Sequence, residues 1–282
     1  MSNNTTFKGS EKHTVTERDM SEEGSVRERA GTLMLCLDTA TEKRSVAVVL
    51  EGTLLALRAG ELREGGASGI LRDLDEALRA AGVGLREIEL LGACTGPGSF
   101  TGLRSGLATV KALAASLRKP VIGVPTLHAI AYQARPAGRL VVMLPAGRGE
   151  VFAQLLRVGE EGLVEELGEA VHVSPSKLVE SALSLGGGLK WAGSGAAKYF
   201  EQIVETARAA GLSFAQTSSK EGREPLEGEW LFEQTEDVLA RGVAALSLSS
   251  WRAGAETSAE LLRAIYVRPS DAELNERCHE PG

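Results

Sequence analysis

Apolar residues change their period several times along the chain, and each change predicts an element. Leu33-Met34-Leu35-Cys36-Leu37 is a continuous apolar run closed by Asp38-Thr39, the pattern of a strand buried on both faces. Residues 45–50 predict a second strand, and Glu51-Gly52 a two-residue turn into a third over 53–57. The period then lengthens. Ser68 predicts an N-cap, Ile70, Leu71, Leu74, Ala77, Leu78 and Ala81 recur at helical spacing, and Gly82 stops the helix. A strand over 88–94 leads into a sharp turn at 96–98. Leu103, Leu107, Val110, Leu113, Ala114 and Leu117 form the next helical stripe, followed by a strand over 121–124 and a short helix over 127–134.

The order βββαβαβα predicts a mixed sheet with helices packed on it. It is the order of a ribonuclease-H-like half of the actin-like (ASKHA) fold, an α/β fold with two such lobes. The second half reads less clearly. Residues 140–144, 150–156 and 164–173 suit three strands, and Ser174-Pro175 opens a helix. Trp191-Ala192-Gly193 ends a strand, 196–209 reads as a helix, and 214–230 shows no period and predicts a loop. Helices are expected over 238–248 and 259–265. The expected organisation is a disordered tail over 1–32, a first lobe over 33–137 and a second over 138–282. The tail is sparse in apolar residues, has a net charge of −1, and lacks the apolar stretch of a secretory signal.

Charge and cysteine content narrow the function. A net charge of −7 with no Lys/Arg cluster argues against unaided grip on RNA phosphates. Aromatics at 4% supply no stacking platform for single strands. No stretch approaches the ~20 apolar residues of a membrane span. Cys36, Cys94 and Cys278 are far apart and form no metal or disulfide spacing, which suits a reducing, cytoplasmic setting.

The segment Gly96-Pro97-Gly98-Ser99-Phe100-Thr101-Gly102-Leu103-Arg104 carries the most information. Ser99 and Thr101 are placed to cap a helix whose N–H groups could cradle an anion. The segment is not a Gly-x4-Gly-Lys-Ser/Thr phosphate loop, because Leu103-Arg104 follows Gly102. A purely structural corner explains the same residues. Asp38 with Thr39 and Thr41 likewise suits either a first phosphate loop or a capped turn after the first strand. The phosphate-loop-like set is therefore Asp38, Thr39, Gly98, Ser99, Thr101, Gly102 and Arg104. His13, His128, His172 and His279 form no pair at metal spacing, so a metalloprotease reading is poor. The acidic run Glu160, Glu161, Glu165, Glu166 and Glu169 reads as a solvated face.

Leu35-Cys36-Leu37-Asp38-Thr39-Ala40-Thr41 followed by Gly96–Arg104 resembles the start and signature of the TsaB/YeaZ family. The likeness continues through Lys119–Val124, Gly149-Glu150-Val151-Phe152 and Ala192-Gly193-Ser194-Gly195-Ala196, and ends at Ala264-Ile265-Tyr266-Val267-Arg268-Pro269. It implies an actin-like subunit without catalytic residues that heterodimerises with a TsaD-like transferase. The implied task is to support threonylcarbamoyl transfer to the tRNA adenosine beside the anticodon, together with a TsaE-like ATPase. tRNA would be met only through the complex, with no membrane involved. The resemblance also implies that two first-lobe helices, about 67–81 and 103–118, meet the partner, with Ile70, Leu71, Leu74, Leu78, Gly106 and Val110 as candidate contacts. The same leucines could instead face the protein's own sheet.

In the transferase two histidine metal ligands follow a Pro-Val-x-x-Val strand; the matching positions here are Thr126 and Ile130. The resemblance thus implies no cofactor in the isolated chain and a metal held by the partner. It leaves open ATP or ADP at the heteromeric interface, and a homodimer of the chain alone. Two departures stand out: Pro145-Ala146-Gly147-Arg148 replaces the family's Asp-Ala-Arg, and Ala67-Ser68 replaces its His-Ser. The alternative is an actin-fold phosphotransferase using ATP through Asp38 and the 96–102 corner.

Overall fold

The computed structural model describes residues 31–62, 64, 66–218 and 222–267. The expected tail lies outside them up to residue 30, as do Arg268, Pro269 and Cys278. Beta strands β1 (Leu33–Asp38), β2 (Lys43–Leu50) and β3 (Thr53–Glu61) form an antiparallel meander. Helix α1 (Gly66–Ala81), strand β4 (Leu90–Gly96), helix α2 (Phe100–Leu117), strand β5 (Val121–Pro125) and helix α3 (Thr126–Gln133) follow. The sheet order is β3-β2-β1-β4-β5, with β4 and β5 parallel to β1 and to each other, respectively.

The chain then repeats this topology. Strands β6 (Ala137–Gly147), β7 (Glu150–Val158), β8 (Val164–Glu166) and β9 (Val171–Val173) are antiparallel neighbours. Helix α4 (Pro175–Ala182), strand β10 (Leu189–Ala192), helices α5 (Ser194–Lys198) and α6 (Phe200–Ala209), strands β11 (Ser213–Ser218) and β12 (Glu229–Gln234) and helix α7 (Ala240–Arg252) complete it. The second sheet runs β11-β12-β10-β6-β7-β8, with β9 also on β7, and β10 and β12 continue parallel to β6.

Beta strand β1 shows why its sequence is apolar as far as Leu37: both faces are covered. Leu33, Leu35 and Leu37 join a core with Ile70 and Leu74 of α1 and Leu107 and Val110 of α2. Met34 and Cys36 point the other way, into a core with α3, α7 and Leu140, Val142 and Leu144 of β6. Val141 and Met143, on the far face of β6, pack with Val179 of α4 and Ile203 of α6. The layers are therefore helix, sheet, helix, sheet, helix.

Sequence expectations change at several places, including 196–209, which falls in two helices rather than one. Of the loop expected over 214–230, residues 214–218 belong to β11 and 229–230 to β12, and 222–228 are loop. Beta strand β11 is an edge strand in which Phe214 is the one large apolar residue, so its pairing with β12, not its own period, makes it a strand. The expected strand over 164–173 is two short strands that pair with different parts of β7. Residues 259–265 are not helical. They belong to a strap whose backbone bonds to the first sheet: Val121 N–H to Thr257 O at 3.0 Å and Ile265 N–H to Thr95 O at 2.7 Å, with Leu262 buried beneath it. Helix α7 packs on the first sheet too, against β1, β2, β4 and β5, so the stretch expected as one lobe, 138–282, divides between the two sheets.

Candidate functional site

At the end of β4 the Gly96–Pro97 peptide is cis, and Ser99 caps α2 by accepting the Gly102 N–H at 3.2 Å. The turn after β1 lies directly on this helix start. Ser99 N–H donates to Ala40 O at 2.8 Å. Gly98, Gly102 and Gly106, four residues apart, face that turn, and a Cβ on them would overlap Ala40 O, Thr39 O and Thr39 Oγ1 in order. The glycines of the signature thus let turn and helix meet backbone to backbone.

Asp38 sits inside the turn and is fully buried. Its carboxylate accepts Ala40 N–H at 2.8 Å and the Thr41 hydroxyl at 2.6 Å, and the Cys94 thiol also bonds to it. Burial pushes its pKa up, against those hydrogen bonds. Burial, and then the charge of Asp38, push the Cys94 thiol well above its ordinary value; burial takes Cys36 to about 12. Both thiols stay protonated and unreactive. On the outside of the corner, the Arg104 guanidinium lies 3.8 Å over the Phe100 ring, which also meets Tyr266 of the strap at 5.7 Å. The seven phosphate-loop-like residues are brought to one corner. Inside it Asp38, Thr39, Gly98, Ser99 and Gly102 bond or pack among themselves, and Thr101 and Arg104 lie exposed on its outer face.

The candidate partner contacts divide. Ile70, Leu74 and Val110 are buried against the first sheet, with Leu78 half-buried on the same core. Gly106 is covered by Thr39. Leu71, 57% exposed, alone points outward. The apolar period of α1 therefore serves the protein's own sheet, because a helix on a sheet must bury one stripe. The outer face of α2 carries Thr101, Arg104, Ala108, Ala112 and Ala115.

Sequence reasoning missed what holds α1 in place. Arg44 of β2 is fully buried; its Nε meets Asp73 of α1 at 2.6 Å, and its Nη1 bonds to Glu61 O and Glu64 O. Gly60 and Gly69 make room for the guanidinium. An arginine at the head of the apolar run over 46–50, in a strand buried over residues 44–49, was the available signal.

The positions that match the transferase's metal ligands do not fit a metal. Thr126 is buried and its hydroxyl accepts the Gly96 N–H at 3.1 Å; Ile130 is a core residue without a donor atom. His128 pairs with Glu166 at 3.0 Å, and burial lowers its pKa although Glu166 pulls the other way. Among the described residues no group of three or more His, Cys, Asp or Glu side chains could hold a metal ion, and no helix is long and apolar enough to cross a membrane. Pro145, Ala146 and Gly147 end β6 and Arg148 begins the β6–β7 turn, with residues 147–149 exposed.

Two sheets of ribonuclease-H-like order, joined through shared helices, define a protein of the actin-like class. A family profile described as "TsaD: tRNA N6-adenosine threonylcarbamoyltransferase" matches residues 67–228, more than half of the chain, and the chain belongs to this family, in its TsaB/YeaZ group. It is 35% identical over 133 residues to the tRNA threonylcarbamoyladenosine biosynthesis protein TsaB of Escherichia coli, covering 46% of this chain and 57% of that protein. The Haemophilus influenzae protein of the same name is 36% identical over 133 residues, 44% of this chain and 54% of the relative. The matched stretch thus spans little more than half the length of these relatives. A tRNA N6-adenosine threonylcarbamoyltransferase of Protochlamydia amoebophila is 43% identical over 65 residues, 23% of this chain and 19% of that enzyme. YeaZ from Pseudomonas aeruginosa shares the fold, with a TM-score of 0.63 at 24% identity, over 83% of this chain and 99% of that one.

Proposed function

We propose that the chain is a non-catalytic scaffold subunit in the formation of threonylcarbamoyladenosine on tRNA, in the cytoplasm. It binds a TsaD-like transferase through the outer surface of α1 and α2, and works with a TsaE-like ATPase. One observation carries this reading: where the resemblance puts histidine ligands, Thr126 is tied to the Gly96 backbone and Ile130 is core. In this reading the metal and the threonylcarbamoyl adenylate belong to the transferase, and any ATP or ADP binds where the two subunits meet. The net charge of −7 leaves the tRNA phosphates to other subunits.

The phosphotransferase alternative needs a carboxylate facing substrate at Asp38. Its carboxyl is instead buried within its own turn.

Reconstitution tests the proposal. The chain alone is expected to transfer nothing to tRNA, and to raise modification when added to transferase and ATPase. Transfer by the chain alone would refute the reading. The interface is tested by Leu71→Glu, which is expected to weaken the complex at least ~10-fold while leaving folding intact, since an exposed substitution changes stability by only about 0.5 kcal/mol. Undiminished binding by that variant would move the interface elsewhere.

A further inference from the structure

The chain passes between the two sheets twice: at residues 134–136, between α3 and β6, and at 235–239, between β12 and α7. In a two-lobed protein that opens and closes, such passages are where backbone torsions change. Here each is held by a side chain from elsewhere. Lys190 of β10 is fully buried; its Nζ donates to Ala134 O at 3.2 Å and to Pro136 O at 2.8 Å, and pairs with Glu233 of β12, also fully buried, at 2.8 Å. The first passage is thus anchored to the middle of the second sheet. Gln133, at the end of α3, clips the first passage to the second: its Nε2 donates to Val238 O at 3.1 Å and its Oε1 accepts the Glu236 N–H at 2.8 Å. The second passage ends where Ala240 N–H donates to Ser45 Oγ of β2 at 3.1 Å. Around these ties, one apolar core runs from β1 through α3 and α7 to β6.

We infer that the two lobes are fastened into one rigid body by Gln133 and the Lys190–Glu233 pair. The protein has the outline of an actin-like clamp without a working hinge. Opening the lobes would strip a buried ammonium of its carbonyl acceptors and expose the shared core, both unfavourable. The inference stands on the fold alone; a chain that bound no transferase would leave it untouched.

Spin labels test it on the full chain. Ala80→Cys at the end of α1 and Ala209→Cys at the end of α6 are exposed positions, one on each lobe. Cys278→Ser removes the remaining competitor, because Cys36 and Cys94 are buried. One interlobe distance is expected, unmoved by Mg-ATP. Two distances, or one that shifts with Mg-ATP, would overturn the inference. Gln133→Ala, at a half-exposed site that the core does not need, is expected to broaden the distribution and to speed exchange of the Glu236 amide about tenfold. An unbroadened distribution with wild-type exchange in that variant would remove Gln133 from the fastening.

Discussion

The β1–β2 and β6–β7 turns occupy the same place in the two halves of a repeated topology, yet they are built oppositely. The first is buried. Asp38 ties its own backbone, and three glycines of α2 bring the helix onto Thr39 and Ala40. The second is exposed, and Gly147 and Gly149 face open space. The second lobe keeps its close approach elsewhere, with Gly193 and Gly195 against Met143 of β6. The helix that follows is broken at Tyr199 into α5 and α6, where the first lobe has the single helix α2. A shared topology therefore does not impose a shared corner. The signature residues mark the half in which turn and helix are packed together, and the same packing removes Asp38 from solvent.

The buried pair beside the first turn gives the largest expected effect. Arg44→Met removes the buried partner of Asp73, leaving it only the exposed Arg72 at 3.7 Å, and is expected to cost about 4 kcal/mol in urea unfolding. A loss no larger than that of an exposed ion pair would show that α1 does not need this tie. Gly106→Val drives two methyl groups into Thr39 and is expected to cost about 3 kcal/mol. In a Thr39→Ala background the cost should fall by ~1 kcal/mol, and an additive double-mutant cycle would break the proposed contact.

Asp38→Asn sharpens the electrostatic side of the comparison. The folded pKa lies above the unfolded value, so the protonated carboxyl contributes stability that is present at low pH and lost as pH rises through the folded pKa. The Asn variant should lack that decline, and should support tRNA modification in the reconstituted system. Loss of that support with stability intact would return Asp38 to a chemical role. Smallest is the change at the second turn: Gly147 has φ of 80° in open surroundings, a conformation Asn tolerates. Gly147→Asn is expected to shift stability by no more than about 0.5 kcal/mol, and a cost near that of Gly106→Val would erase the contrast between the turns.

The first lobe was legible because its strands and helices each carry a clean period, from the run at 33–37 to the stripe through Leu117. The second was less so. Beta strands β8, β9 and β11 are short or polar, and take their conformation from neighbours they pair with rather than from their own pattern. At the corner, the glycine-rich signature predicted a tight strand-to-helix turn. The same pattern suited an anion cradle equally well, since a glycine looks alike in sequence whether a phosphate or another backbone lies above it. The stripe Ile70, Leu74, Leu78 announced a helix with one apolar face but not which neighbour covers it.

The amino-acid sequence by itself determined the elements of the first lobe, the lack of histidine at the two ligand-equivalent positions, and the family, because local period and motif spacing need no knowledge of distant residues. Only tertiary structure decided that α7 returns to the first sheet, that Arg44 and Lys190 are buried with partners, and that Leu71 alone among the candidate contacts faces solvent. Those outcomes depend on which surfaces meet across separations from 29 residues, at Arg44 and Asp73, to 195, at Ser45 and Ala240, and no local pattern carries that information.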